Sequence, residues 1–250
     1  GKSKKELNER IKKNITNSKV SNVSAYSKSK IIKLDSKKPK IIILPSCFFD
    51  AQYFFRNSIF FDVYEWLDFT LYHASLTEFE WYVKPHPTNI PMNYKIFENL
   101  KKKYKKIKFL DPSVSNLTFK KNKFSSMFTF QSGAVLEFAY MNIPSVVVSD
   151  NICVNYEFGK PVKSINIYKK LIYNANKINN NIKFNDVLEN NYMWRFDKSS
   201  SFRVDFIEDK ITGNTNNIHS IKSSNEILNK FFSNSSFQRN LTKVIPKIFI

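Results

Sequence analysis

Blocks of apolar and polar residues alternate along the middle of the chain, and they predict alternating strands and helices. The uninterrupted apolar run at residues 41–44, stopped by Pro45, has the length of a strand buried on both faces. Further short runs predict strands at 80–84, 107–110, 126–130 and 145–149. Apolar positions at helical spacing predict helices between them, most clearly at 63–75. This alternation is typical of βαβ units, so we predict an α/β fold with a Rossmann-like parallel sheet flanked by helices.

The regions on either side of this pattern differ in composition. Residues 1–39 are polar and basic, which predicts an arm or linker. Residues 40–180 form the predicted Rossmann-like domain. Residues 181–250 are predicted to be a mostly helical C-terminal extension packed on that domain, with helices at 184–195 and 225–232.

Charge and composition narrow the class of partner. A net charge of +19 favours anionic partners: nucleotide phosphates, lipid headgroups, acidic glycans or nucleic acid. Nucleic acid is the least favoured, because no recognition motif is present. No apolar run reaches the length of a membrane span, so any contact with an anionic membrane would be peripheral. Cys47 and Cys153 fit no metal-ligand spacing, and we interpret them as reduced thiols of a cytoplasmic protein.

The first candidate site is the motif Lys84-Pro85-His86-Pro87, which follows the second predicted strand. In parallel sheets, ligands bind outside the carboxyl ends of the strands. The two prolines stiffen the loop, Lys84 supplies positive charge, and His86 can donate a hydrogen bond or a proton. The alternative is a turn with a structural histidine.

The second candidate site follows the fourth predicted strand, where Ser132, Gly133 and Ala134 open a helix. The backbone N–H groups of these residues suit an anion. Glu137 lies one turn further on and could reach a ribose; alternatively, it is an exposed helical glutamate. Ser132 either contacts the ligand or caps the helix. After the first strand, Asp50 is a candidate general base or a turn-forming residue.

In the order of its elements and in these motifs, the chain resembles the capsule-polysaccharide biosynthesis glycosyltransferases of GT-B architecture, relatives of bacterial Kdo transferases and of sialyltransferases with an HP motif. The matching stretches are 41–50, 61–67, 81–87 and 130–146. The resemblance implies that Lys84 and His86 contact the phosphate of a nucleotide-sugar donor. The turn at 132–134 would cradle that phosphate, and Glu137 would hold the ribose.

The resemblance further implies a metal-independent, inverting transfer from a CMP- or UDP-sugar to a surface polysaccharide or a lipid-linked glycan. This would occur in the cytoplasm, at the inner face of the plasma membrane, with the donor as substrate and no cofactor. GT-B enzymes contain two Rossmann-like domains, whereas this sequence predicts one. The alternatives are therefore the donor-binding part of such an enzyme, a non-catalytic nucleotide- or glycan-binding module, and a polyol-phosphate transferase or epimerase on the same scaffold.

Overall fold

Five parallel strands form the centre of the protein. The computed structural model describes residues 1–13, 30–48, 58–86 and 91–195. In chain order its elements are α1 (Lys2–Lys13), β1 (Lys40–Leu44), α2 (Val63–Ser75), β2 (Glu80–Val83), α3 (Pro91–Lys103), β3 (Lys108–Phe109), α4 (Leu117–Lys121), β4 (Ser126–Thr129), α5 (Ala134–Tyr140), β5 (Ser145–Val147), α6 (Ile165–Tyr173) and α7 (Phe184–Arg195). The predicted Rossmann-like α/β fold is confirmed.

The strands lie in the order β3-β2-β1-β4-β5. The chain builds outward from the central β1 through β2 to β3, and then returns to the other side of β1 to place β4 and β5. All four strand pairings are parallel. This order is that of a doubly wound sheet, with its reversal point between β1 and β4.

Both faces of the sheet are covered, which explains the uninterrupted apolar run of β1. Side chains alternate along a strand, so Ile41 and Ile43 enter the core beneath α2, α3 and α6. Ile42 and Leu44 enter the second core, against α1, α4, α5 and α7. Every residue of β1 is buried, as predicted for a central parallel strand.

Helices α2 and α6 are joined inside the first core by a buried polar network. Both the indole N–H of Trp66 and the hydroxyl of Thr70 lie 2.7 Å from the hydroxyl of Tyr168, and the Trp66 N–H donates to it. Burial raises the pKa of Tyr168 far above its usual range, which keeps the hydroxyl protonated.

The polar first part of the chain takes part in the fold at two places. Leu7 on α1 is fully buried, and α1 packs against α7 and α5. Further along, the backbone of Lys30 pairs with Ser113 and Ser115 beside α4. The helix predicted at 225–232 lies outside the described residues. Among the described helices, none has both the length and the apolar character that crossing a membrane requires.

Candidate functional site

The carboxyl edge of the sheet has a reversal point between β1 and β4, where open α/β sheets most often bind ligands. The loops that follow these two strands meet there. The hydroxyl of Ser46 donates to the carbonyl of Gln131 over 2.6 Å. One layer below, Thr129 donates to the carbonyl of Leu44 over 2.7 Å. These bonds fix the two loops against each other.

A buried chain of three polar side chains lies at the same edge. The ammonium of Lys84, at the end of β2, donates to Oδ1 of Asn116 over 2.8 Å. Nδ2 of Asn116, just before α4, donates to Oε2 of Glu137 on α5 over 2.8 Å. The exposed fractions of the three residues are 6%, 8% and 8%. The structure therefore brings together Lys84 and Glu137, which the sequence singled out separately, and adds the amide between them.

Burial dominates the electrostatics of these three side chains. It lowers the pKa of Lys84 to about 8, although the nearby carboxylate of Glu137 acts in the opposite direction. At neutral pH the ammonium is still mostly protonated. The site thus holds a positive and a negative charge in a desolvated place, where their interactions with a ligand are stronger than in water.

Glu137 is not the exposed helical glutamate that the sequence left open. It lies on the inner side of α5, beside the fully buried Leu136 and Phe138. A buried carboxylate is costly unless it is hydrogen-bonded, and Asn116 supplies one such bond.

The start of α5 differs in detail from the expectation. The hydroxyl of Ser132 accepts a hydrogen bond from the N–H of Ala134 over 3.1 Å, a local bond across the turn, whereas the N-cap residue is Gly133 and no side chain makes a capping bond there. Gly133 has φ −63° and ψ −15°, an ordinary helical conformation. The turn therefore does not require glycine for its backbone angles. What Gly133 contributes is the absence of a side chain at the half-buried helix start.

His86 is exposed, three residues beyond the end of β2 and directly after the buried Pro85. Asp50, the other predicted catalytic residue, lies outside the described residues. The roles of His86, Asp50 and the phosphate-binding turn remain predictions.

Two residues at this edge, Asn116 and Gln131, are not among the site residues that the sequence predicts. Asn116 follows the third strand, and its position just before α4 suggests a helix cap. Its side chain makes no capping bond, however, and bridges Lys84 and Glu137 instead. The side-chain oxygen of Gln131 is buried and accepts no hydrogen bond from any described residue. Such an atom gains from a ligand or water that donates to it.

The other polar residues at this edge support the loops. Asn93 on α3 donates to the sulfur of Cys47 over 3.1 Å, which ties α3 to the loop after β1. After β5, Asn151 donates to the carbonyl of Gly159 over 2.7 Å and closes a turn.

Within the described ranges, no group of three or more His, Cys, Asp and Glu side chains could hold a metal ion. In comparisons with known proteins, no family model matches the chain and no curated protein matches it.

Proposed function

We propose that this chain binds a nucleotide-activated sugar at the carboxyl edge of its sheet and serves in transfer of the sugar to a surface polysaccharide or a lipid-linked glycan. It would act as a metal-independent, inverting glycosyltransferase, or as the donor-binding part of one. The observation that carries the proposal is the buried chain of Lys84, Asn116 and Glu137 beside the reversal point of a doubly wound sheet.

A nucleotide sugar offers this edge a phosphate and a ribose. The Lys84 ammonium would pair with a phosphate oxygen, and burial strengthens such a pair. The Glu137 carboxylate would accept hydrogen bonds from ribose hydroxyls. Because Asn116 contacts both side chains, it would hold the cation and the carboxylate at a fixed separation.

The proposed reaction places charge where this edge can stabilise it. The acceptor hydroxyl oxygen would bond to the anomeric carbon while the bond from that carbon to the phosphate oxygen breaks. The electron pair would leave with the nucleotide, where Lys84 stabilises the added charge and His86 donates a hydrogen bond or a proton. The acceptor's own proton would go to a carboxylate, for which Asp50 is the predicted group.

A thermal-shift panel of CMP, CDP, UDP and GDP with their sugars tests the binding step. A ligand of the folded state raises stability by mass action, by about 2.7 kcal/mol at one hundred times its Kd. We expect one nucleotide to raise the melting temperature, and its sugar conjugate to do so at least as strongly.

Two lysines provide a matched pair of variants. Lys40 is also buried, and its ammonium donates to the carbonyl of Ser36 over 2.8 Å, but it lies at the opposite edge of the sheet. Lys84→Met should weaken nucleotide binding at least about tenfold, whereas Lys40→Met should leave the Kd unchanged. Equal binding by the wild type and the folded Lys84→Met variant would show that the site is wrongly placed.

Gly133→Ala gives a second test, because the backbone angles of Gly133 accept alanine. We expect the variant to keep its stability to within about 1 kcal/mol and to lose affinity if a ligand packs against the helix start. Unchanged affinity would remove Gly133 from the site.

Catalysis is tested separately by incubating the full chain with the nucleotide sugar identified in the panel and candidate acceptors. A glycosylated product supports the transferase. Binding without transfer or donor hydrolysis would leave the non-catalytic binding module as the correct description, and transfer of a polyol phosphate would point to the other alternative.

A further inference from the structure

The edge of the sheet opposite the candidate site is rich in exposed lysines. Strands of a parallel sheet all start at the same edge, so the turns that lead into them lie side by side. The turns before β1, β3 and β4 are each lysine-rich. Six exposed lysines in these turns and at the adjoining end of α4 form a surface that we call the amino-edge ridge: Lys37, Lys105, Lys106, Lys120, Lys121 and Lys123.

The charges of the ridge are not neutralised by the protein. In the described part of the chain, none of the six forms an ion pair, whereas three neighbouring lysines do. Lys38 pairs with Glu78, Lys103 with Asp68 and Lys108 with Glu80, at 3.7, 2.8 and 2.7 Å. The acidic residues of this edge are therefore already matched by other lysines, and the ridge keeps its own positive charge.

The shape and the residue types of the ridge indicate its partner. The three turns precede β3, β1 and β4, and β2 lies between β3 and β1 in the sheet. The row therefore spans three strand spacings of about 4.8 Å, which is roughly 15 Å. The aromatic residues of these turns and of the adjoining end of α4 are Tyr104, Phe119 and Phe124. All three are buried, so they offer no platform on which bases could stack. Every cation of the ridge is a lysine, without the arginine fork that nucleic-acid sites favour. A row of point charges without stacking groups suits a layer of anionic headgroups better than a nucleic acid.

We propose that the amino-edge ridge binds the surface of an anionic lipid bilayer. Juxtamembrane lysines are attracted by the negative surface potential of such a bilayer, each by about one kilocalorie per mole, which is roughly fivefold in partitioning. The strands separate the ridge from the candidate site by about 15 Å, so a bound protein would keep that site in water and open to a soluble donor. This inference does not depend on which ligand the candidate site binds.

Sedimentation with lipid vesicles tests the proposal on the full chain. The vesicles are phosphatidylcholine with phosphatidylserine, and phosphatidylcholine alone as the uncharged reference. We expect the wild type to bind only the anionic vesicles, and its binding to weaken steeply as salt is added. The ridge variant carries Lys105→Gln, Lys106→Gln, Lys120→Gln and Lys121→Gln. It should partition on the order of a hundredfold less, because up to fivefold is lost per lysine.

The matched control removes the same charge elsewhere, with Lys2→Gln, Lys4→Gln, Lys5→Gln and Lys163→Gln, all exposed and outside the ridge. The control should retain most of the binding. An equal loss in both variants would mean that net charge alone drives the interaction, and would overturn the ridge. Absence of wild-type binding to anionic vesicles, or a stronger salt-sensitive binding to an RNA oligonucleotide that the ridge variant alone loses, would also overturn it. Circular dichroism and thermal melts confirm that both variants are folded.

Discussion

Replacing Asn116 by leucine tests whether the hydrogen bonds among Lys84, Asn116 and Glu137 stabilise the protein. Asn116 accepts from the Lys84 ammonium and donates to the Glu137 carboxylate, each over 2.8 Å. A hydrogen bond to a charged group contributes about 1.5–3 kcal/mol, so the two together contribute roughly 3–6 kcal/mol. Burial of the leucine side chain offsets about 1–2 kcal/mol. We therefore expect Asn116→Leu to lower the free energy of unfolding by about 1–5 kcal/mol.

This loss would not come from helix capping, because the Asn116 side chain makes no capping bond to α4. The assay is urea unfolding at neutral pH, carried out as a double-mutant cycle with Lys84→Met. The two substitutions should be non-additive by about 1 kcal/mol or more, because they share one hydrogen bond.

The control cycle pairs Lys84→Met with Asn122→Leu. Asn122 is another partly buried asparagine, and its side chain bonds the backbone of Ile32 and Leu34. This pair should be additive within about 0.5 kcal/mol. If Asn116→Leu lowered the free energy of unfolding by less than about 1 kcal/mol, or showed no coupling to Lys84→Met, the hydrogen bonds of Asn116 would not stabilise the fold as expected.

Three further predictions concern stability. Burial lowers the pKa of Lys84 from its ordinary 10.5 to about 8. Between pH 8 and pH 10.5 the unfolded state therefore binds more protons than the folded state. In urea titrations, the free energy of unfolding of the wild type relative to Lys84→Met should thus rise by about 3 kcal/mol from pH 8 to pH 10.5. A difference between the two proteins that does not change with pH would contradict this. Tyr168→Phe leaves the buried indole N–H of Trp66 without its acceptor and should lower the free energy of unfolding by about 1–3 kcal/mol; a variant as stable as the wild type would refute this. Gly159→Ala would place a methyl group 2.2 Å from the carbonyl oxygen of Cys153, so thermal melts should show a loss of about 1–3 kcal/mol, and an unchanged melting temperature would mean that the turn relaxes freely.

Much of the fold follows from local sequence patterns. The five strands and the helix Val63–Ser75 lie where the apolar pattern predicts them. Asp62 accepts from the N–H of Glu65 and fixes the start of that helix. The order of the strands in the sheet does not follow from such local patterns. Periodicity identifies a buried strand, but not which strand lies beside it, so the reversal point became visible only in the structure.

In the candidate site, too, some residues can be predicted from the local sequence and others only from the structure. Lys84 and Glu137 could be singled out because each follows a strand at the carboxyl edge. Asn116 could not, because an asparagine before a short helix is most simply read as a cap, and only the tertiary structure directs its side chain elsewhere. Gly133 lies at the start of a helix, as the sequence predicts, and its backbone angles are ones that other residues also adopt.

The hydrogen bond from Ser46 to Gln131 has a consequence for how the protein folds. Its partners are separated by 85 residues, and the neighbouring bond from Thr129 to Leu44 closes an equally long loop. Contacts between distant residues form slowly, because the entropy of a long loop must be lost before they contribute. Strands β1 and β2 can pair early, yet the reversal point exists only after β4 has inserted beside β1. A ligand of the carboxyl edge would therefore bind late intermediates and the native state, and should slow unfolding more than it speeds folding.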